Sequence, residues 1–338
     1  MPHKHVQNPS ALDLLWRRKA TSSKPTKRHD PFKMALVVEG GGMRGCVSAG
    51  MTAALVRLGY GDCFDMMIGT SAGAINLAYV AASQAVADAA PMYATDLASG
   101  RFISTWRAIH GKKPIMDLDY LFEDMMENIH PLDVDIIRKR GIRLGFTATI
   151  METGDPILLT DFRTRRSLKK ALRASAMIPG VGGPKPVKFR RMNLIDGGFS
   201  AFLPENMARE QGATHIFLLT NLPAGQFHNP PDYNHVRVVG SALSRLSSPV
   251  AETFVSNNER DNLHLERVRA GEDPTVAHCE MPEGAPRIQT LCKKPKKLWM
   301  AMEQGFKAMC AYMSHPDEPL PRHWKNLKNA KKNSKKHR

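Results

Sequence analysis

The chain reads as an α/β protein with a mostly parallel central sheet, and three stretches carry that reading. MALVVE, a short apolar run, ends in the turn GGG and passes straight into a helical pattern; FDMMIG ends in TSAG and passes into an alanine-rich helix; IRLGFTATIM, PVKFRRMNLI and ATHIFLLTN supply further strands. Strand, turn and helix, repeated, form a βαβα opening. It predicts right-handed crossovers and a ligand site at the carboxyl ends of the strands.

Each element has its own justification. MALVVE has the length and apolarity of a buried strand. In the helix after the glycines, Val47, Met51, Leu55 and Leu58 recur at helical spacing, and Gly59 and Gly61 stop it. AINLAYVAASQAVADAA is a helix on its alanine content, and SLKKALRASAMI is a helix between the first two of the later strands. KKLWMAMEQGFKAMCAYM is a later helix with an apolar face, whose methionines and aromatics suit packing onto the sheet better than contact with lipid.

At 338 residues and 42% hydrophobic content, the chain is long and apolar enough to bury a real core. It has no internal repeat and no low-complexity linker, so the simplest division is one globular domain over 34–316 between basic tails over 1–33 and 317–338. Of the net charge of +16, residues 1–33 hold eight Lys/Arg against two Asp and residues 321–338 hold eight against none, leaving only +2 between them. Both tails are poor in apolar residues and are expected to be disordered. They are solvated without a specific partner, suited to peripheral attachment at an anionic membrane, or able to bind nucleic acid nonspecifically; no specific nucleic acid partner is expected.

No apolar run reaches the roughly 18 to 20 residues of a membrane span. The N-terminus shows no apolar stretch ahead of a small-residue cleavage site, so secretion is not expected, while its Arg, Lys and Ser content fits an organelle transit segment that Asp13 and Asp30 weaken. The five cysteines, Cys46, Cys63, Cys279, Cys292 and Cys310, form no C-x-x-C pair and no metal-ligand spacing. They read as reduced thiols of a cytoplasmic or peripheral-membrane protein.

Two readings of the glycine turn are open. Gly40-x-Gly42-x-x-Gly45 matches a dinucleotide fingerprint, with Asp65 placed 20 residues on as a ribose ligand. Alternatively, the glycines leave backbone N–H groups free for a developing oxyanion. The second strand favours the oxyanion, because Asp65 stands at its beginning while its carboxyl end runs into Gly69-Thr70-Ser71-Ala72-Gly73. A G-x-S-x-G turn between strand and helix lifts its serine out of the sheet, and the helix N-terminus points at the site. The plainer alternative is a glycine-flanked serine in a structural turn. Ser71 needs a base, and none of the ten histidines after it sits in a setting that advertises catalysis; His215 reads as a satisfied strand-end residue. Asp196, at the exit of the apolar run in NLIDGGFS and followed by Gly197 and Gly198, is the better candidate, although an Asx-type turn explains it when it is taken alone.

Together GGGMRG, GTSAG, ASAMIPG and DGG, in this order between about Met34 and Phe199, closely resemble the patatin-like phospholipase family. The resemblance implies a three-layer α/β/α fold, a Ser-Asp dyad in place of a triad, and hydrolysis of acyl esters of phospholipids and other lipids without metal or cofactor. Carried over by motif, Ser71 is the nucleophile, Asp196 the base, and the amides of Gly41, Gly42 and Met43 the oxyanion hole. Gly40, Gly45, Gly69, Gly73, Gly197 and Gly198 support these turns, and Arg44 is the basic residue that holds the loop or meets an anionic group. The implied activity is of phospholipase A or lysophospholipase type. A lipid transacylase or triacylglycerol lipase with the same dyad is the nearest alternative; a dinucleotide-dependent oxidoreductase or a basic-tailed binding protein lies further off.

Overall fold

Residues 8–110, 114–228 and 248–334 are described by the structure, a computed structural model. The strands in chain order are β1 (Met34–Val38), β2 (Met66–Thr70), β3 (Arg143–Ile150), β4 (Pro156–Leu159), β5 (Val187–Phe189), β6 (Met192–Asp196), β7 (His215–Pro223) and β8 (Val276–Met281). Side by side they run β5-β6-β3-β2-β1-β7-β8, with β4 pairing β3 off this path. The five strands β3, β2, β1, β7 and β8 are mutually parallel. β4 and β6 run antiparallel to β3, and β5 antiparallel to β6.

The helices are α1 (Ala11–Ala20), α2 (Cys46–Arg57), α3 (Ala72–Ala81), α4 (Ala90–Thr95), α5 (Thr105–Ile109), α6 (Val134–Arg140), α7 (Arg165–Ser175), α8 (Glu205–Glu210), α9 (Ser248–Arg269), α10 (Pro295–Tyr312) and α11 (Arg322–Ser334). Because successive strand residues point to opposite faces, the sheet divides the core in two. Ala35, Val37, Ile68, Ile216 and Leu218 pack with Ala208 of α8 and Leu265 of α9. Met34, Leu36, Val38, Met67, Phe217 and Leu219 pack with α1, α2, α3, α4 and α10 on the other side. The result is a three-layer α/β/α sandwich. The apolar face of α10, with Leu298, Met302, Phe306 and Met309 buried, lies along α2 and β8. No helix among the described residues is long and apolar enough to cross a membrane.

Three expectations need correction. First, the N-terminal segment from residue 8 onward is folded. Ser10 caps α1 by accepting from Asp13 N–H at 3.1 Å, and Leu14 and Leu15 are buried. Arg18, 1% exposed, pairs with Asp30 and Asp65 at 2.7 Å each and donates to the carbonyls of Cys63 and Phe32 at 2.8 Å. Arg18 and Arg28, which look like tail cations in the composition, are ion-pair partners in the fold, and residues 1–7 lie outside the described residues. Second, the C-terminal segment contributes α11, whose Trp324 is buried, donates Nε1–H to Val86 O at 2.8 Å and meets the Phe306 ring edge-on. Third, PVKFRRMNLI is a hairpin and not a single strand. Arg190 and Arg191 take φ of 46° and 70° and turn β5 into β6, the conformation of a two-residue hairpin loop.

Candidate active site

β2 ends at Thr70 and α3 begins at Ala72, so Ser71 alone turns the chain. It does so at φ 53° and ψ −117°, a conformation that costs a non-glycine residue about 1–3 kcal/mol and persists only where its surroundings hold it. Ser71 N–H is held by Ser175 Oγ of α7 at 2.9 Å. The turn tolerates no bulk beside it: a Cβ on Gly73 would sit 2.5 Å from the carbonyl oxygen of Glu39.

Strand register brings Asp196 to this serine. Thr70 pairs with Thr147 of β3, and the next residue, Ala148, pairs with Asp196 of β6. Ser71 and Asp196 therefore occupy one row of the sheet, two strand spacings or roughly 10 Å apart at the backbone, and both line one cavity. Asp196 is 4% exposed; its Oδ1 accepts from Gly198 N–H at 2.7 Å. Burial pushes its carboxyl up to about 6, against the pull of Gly198 N–H and of the Ser71 side chain. The buried Oδ2 has no partner in full hydrogen-bond geometry. The serine is thus close enough to stabilise the carboxylate without being aligned on it.

The glycine turn follows β1. Gly41 at φ 143° and Gly42 at φ 57° occupy conformations that L side chains rarely adopt. Among the described residues, neither Gly41 N–H nor Gly42 N–H meets a backbone acceptor. Met43 differs: its N–H donates to Thr290 O at 2.9 Å, and its side chain is buried. The amide is engaged within the protein, which removes Met43 from the expected oxyanion donors. Asn221, at the end of β7, braces the turn by donating Nδ2–H to Gly40 O at 3.0 Å and accepting Ser48 N–H at 2.9 Å. Its own N–H donates to the buried Glu39 carboxylate. Of the other motif glycines, Gly45 is buried in the glycine turn and Gly69 at the end of β2, Gly197 abuts Thr147, and Gly198 lines the cavity.

Arg44 lines the cavity too. Its Nε lacks an acceptor, and its guanidinium lies 5.9 Å from the Phe202 ring centroid. Burial lowers its pKa, with Glu39 opposing and Arg287 adding to the effect.

The cavity measures about 770 Å³, within the usual range for small-molecule sites. Ile178, Phe199, Phe202, Phe254, Ile288 and Leu291 form its apolar wall. A narrow crevice of about 30 Å³, lined by Met92, Phe102 and Leu121, opens beside the same serine. No histidine among the described residues lines the cavity; His235 and His337 fall outside them. His215 is a buried strand-start residue whose Nε2 lies 2.9 Å from Pro9 O. Asp65, weighed as a ribose ligand, is held at the amino end of β2 by Arg18, by Arg28 at 2.6 Å and by Met34 N–H at 2.7 Å. Sequence reasoning missed the strap 287–291, Phe254, Ser175 and Asn221. Ser175 lies within ASAMIPG, but nothing in that stretch marks its hydroxyl as the partner of Ser71; the others stand in no motif, and only the fold brings them to the site.

The chain is similar to several known proteins. The uncharacterized protein YjjU of Escherichia coli (strain K12) is 29% identical over 216 residues, which cover 59% of this chain and 55% of that protein; the chain spans about half the length of the curated relative it matches. Among solved structures, VipD from Legionella pneumophila is similar at a TM-score of 0.43 and 11% identity, covering 84% of this chain and 67% of that one. The type III effector ExoU is similar at a TM-score of 0.36 and 13% identity, covering 86% and 54%. The family model described as patatin-like phospholipase matches residues 36–209, just over half of the chain, from within β1 into α8. A match of that extent, spanning both turns and the strand between them, means that the chain belongs to the patatin-like phospholipase family.

Proposed function

We propose that the chain is a serine acyl-ester hydrolase acting on lipids, of phospholipase A or lysophospholipase type, with Ser71 as nucleophile and Asp196 as base. One observation carries the reading: a serine on a strained strand-to-helix turn shares an apolar-walled cavity with a buried carboxyl whose pKa is pushed up to about 6. Family membership supports lipid as the substrate class.

In this mechanism Ser71 Oγ attacks the ester carbonyl carbon while Asp196 takes its proton. The carbonyl oxygen becomes an oxyanion that Gly41 and Gly42 N–H stabilise, each donor being worth about 3 kcal/mol of barrier. Collapse of the tetrahedral intermediate expels the alcohol, which recovers the proton from Asp196. Water then gives a proton to Asp196, attacks the acyl-enzyme and releases the fatty acid, and Ser71 regains its proton. An ordinary Asp near 3.9 is a weak base for a hydroxyl, and its upward shift narrows the mismatch while leaving it ionised at pH 7.

Labelling with a fluorophosphonate followed by peptide mapping tests the assignment. An adduct on Ser71, lost in Ser71→Ala, supports it. Folded protein that remains unlabelled, or an Asp196→Asn variant as active as the wild type, overturns it.

A further inference from the structure

Residues 284–302 contain five cations, Arg287, Lys293, Lys294, Lys296 and Lys297, and no acid. The four lysines are exposed, and no ion pair involves them among the described residues. Three observations make this more than a solvated run. Lys294, Lys296 and Lys297 stand at the N-terminus of α10, the end at which the helix dipole repels cations, so helix stability does not explain them. The strap 287–291 is a wall between two hollows: it lines the cavity above Ser71 and, with Lys293, Lys294 and Lys297, also lines a groove of about 480 Å³. Arg287 belongs to both. One turn further along α10, Met300 is 51% exposed.

We propose that this lysine face docks the protein on an anionic lipid bilayer, setting the cavity mouth against the source of its substrate; the inference rests on the lipid-hydrolase reading above. Ammonium groups meet lipid phosphates while the lysine stems and Met300 reach the interface. A nucleic acid would meet the same charge, but the groove presents no aromatic ring on which bases stack.

Sedimentation of Ser71→Ala protein with phosphatidylcholine vesicles, with and without phosphatidylglycerol, reads docking apart from turnover. Binding should require the anionic lipid. Combining Lys293→Gln, Lys294→Gln, Lys296→Gln and Lys297→Gln should weaken it on the order of a thousandfold. A control of equal charge change at the amino end of the sheet, combining Lys24→Gln, Lys27→Gln, Lys33→Gln and Lys139→Gln, should bind nearly as before. With Ser71 intact, both combined variants should hydrolyse a soluble short-chain ester at the wild-type rate. Undiminished vesicle binding by the first variant, an equal loss in the control, or a loss confined to RNA binding overturns the docking face. Absence of ester hydrolysis in the wild type, with docking as described, overturns the hydrolase reading alone.

Discussion

Replacing Asp196 by Asn should leave the protein inactive and yet more stable at neutral pH, and both effects have one cause. Burial raises the carboxyl from 3.8 to about 6. Its charged form is therefore disfavoured in the fold by about two pKa units, or roughly 3 kcal/mol at about 1.36 kcal/mol per unit. Between pH 3.8 and about 6 the native state keeps a proton that the unfolded chain has released. Stability accordingly falls as pH rises through that window and stays at the lower level above it. Asn is neutral and nearly isosteric, and its side-chain oxygen retains the bond from Gly198 N–H. The expected gain in unfolding free energy is about 3 kcal/mol at pH 7, shrinking toward zero below about pH 4. Urea unfolding at the two pH values measures it. Hydrolysis of a soluble chromogenic ester should drop by roughly two to four orders of magnitude, and wild-type kcat/KM should climb with pH through about 6. An Asn variant that unfolds at lower urea at pH 7, or that keeps wild-type turnover, would refute the reasoning.

Other expected outcomes are as direct. Ser71→Gly and Ser71→Ala should both abolish fluorophosphonate labelling, but Gly should be the more stable by about 1 kcal/mol in thermal unfolding, because φ 53° suits glycine. Arg18→Ala leaves the buried Asp65 and the half-buried Asp30 short of their partner and should cost about 3 kcal/mol in urea unfolding, whereas a solvated tail residue would cost nothing measurable. His130 lies 3.0 Å from Asp88 and 3.2 Å from Asp96; burial opposes its charge, but the two carboxylates prevail and raise it to about 9. The stability gained there is complete below about pH 6.5 and is lost as pH rises through about 9, so His130→Gln should flatten the urea midpoint between pH 7 and 10.

The turns at GGGMRG, GTSAG and DGG are legible because each permits so few residue types. Only small neighbours fit around Ser71, and Asp196 stands at a strand exit with glycines beyond it. The central strands are legible for a related reason, since burial on both faces makes them short uninterrupted apolar runs. The rest depends on pairings between distant residues. Arg18 looks like a tail cation until Asp30 and Asp65 are folded around it. Arg190 and Arg191 conceal a hairpin because neither is a usual left-handed residue. The Met43 amide looks available in the motif, and only Thr290, nearly 250 positions later, engages it.

That last contact has a consequence for the order in which the protein is made. The elbow, the acid and the glycine turn are all encoded before residue 200, while the carbonyl that pins the turn belongs to Thr290. A ribosome thus exports Ser71, Asp196 and the glycine turn long before the residue that holds that turn, and the emerging polypeptide passes most of its synthesis without it. Stalled translation products ending before Thr290 should resist the fluorophosphonate, and those extended through α10 should accept it.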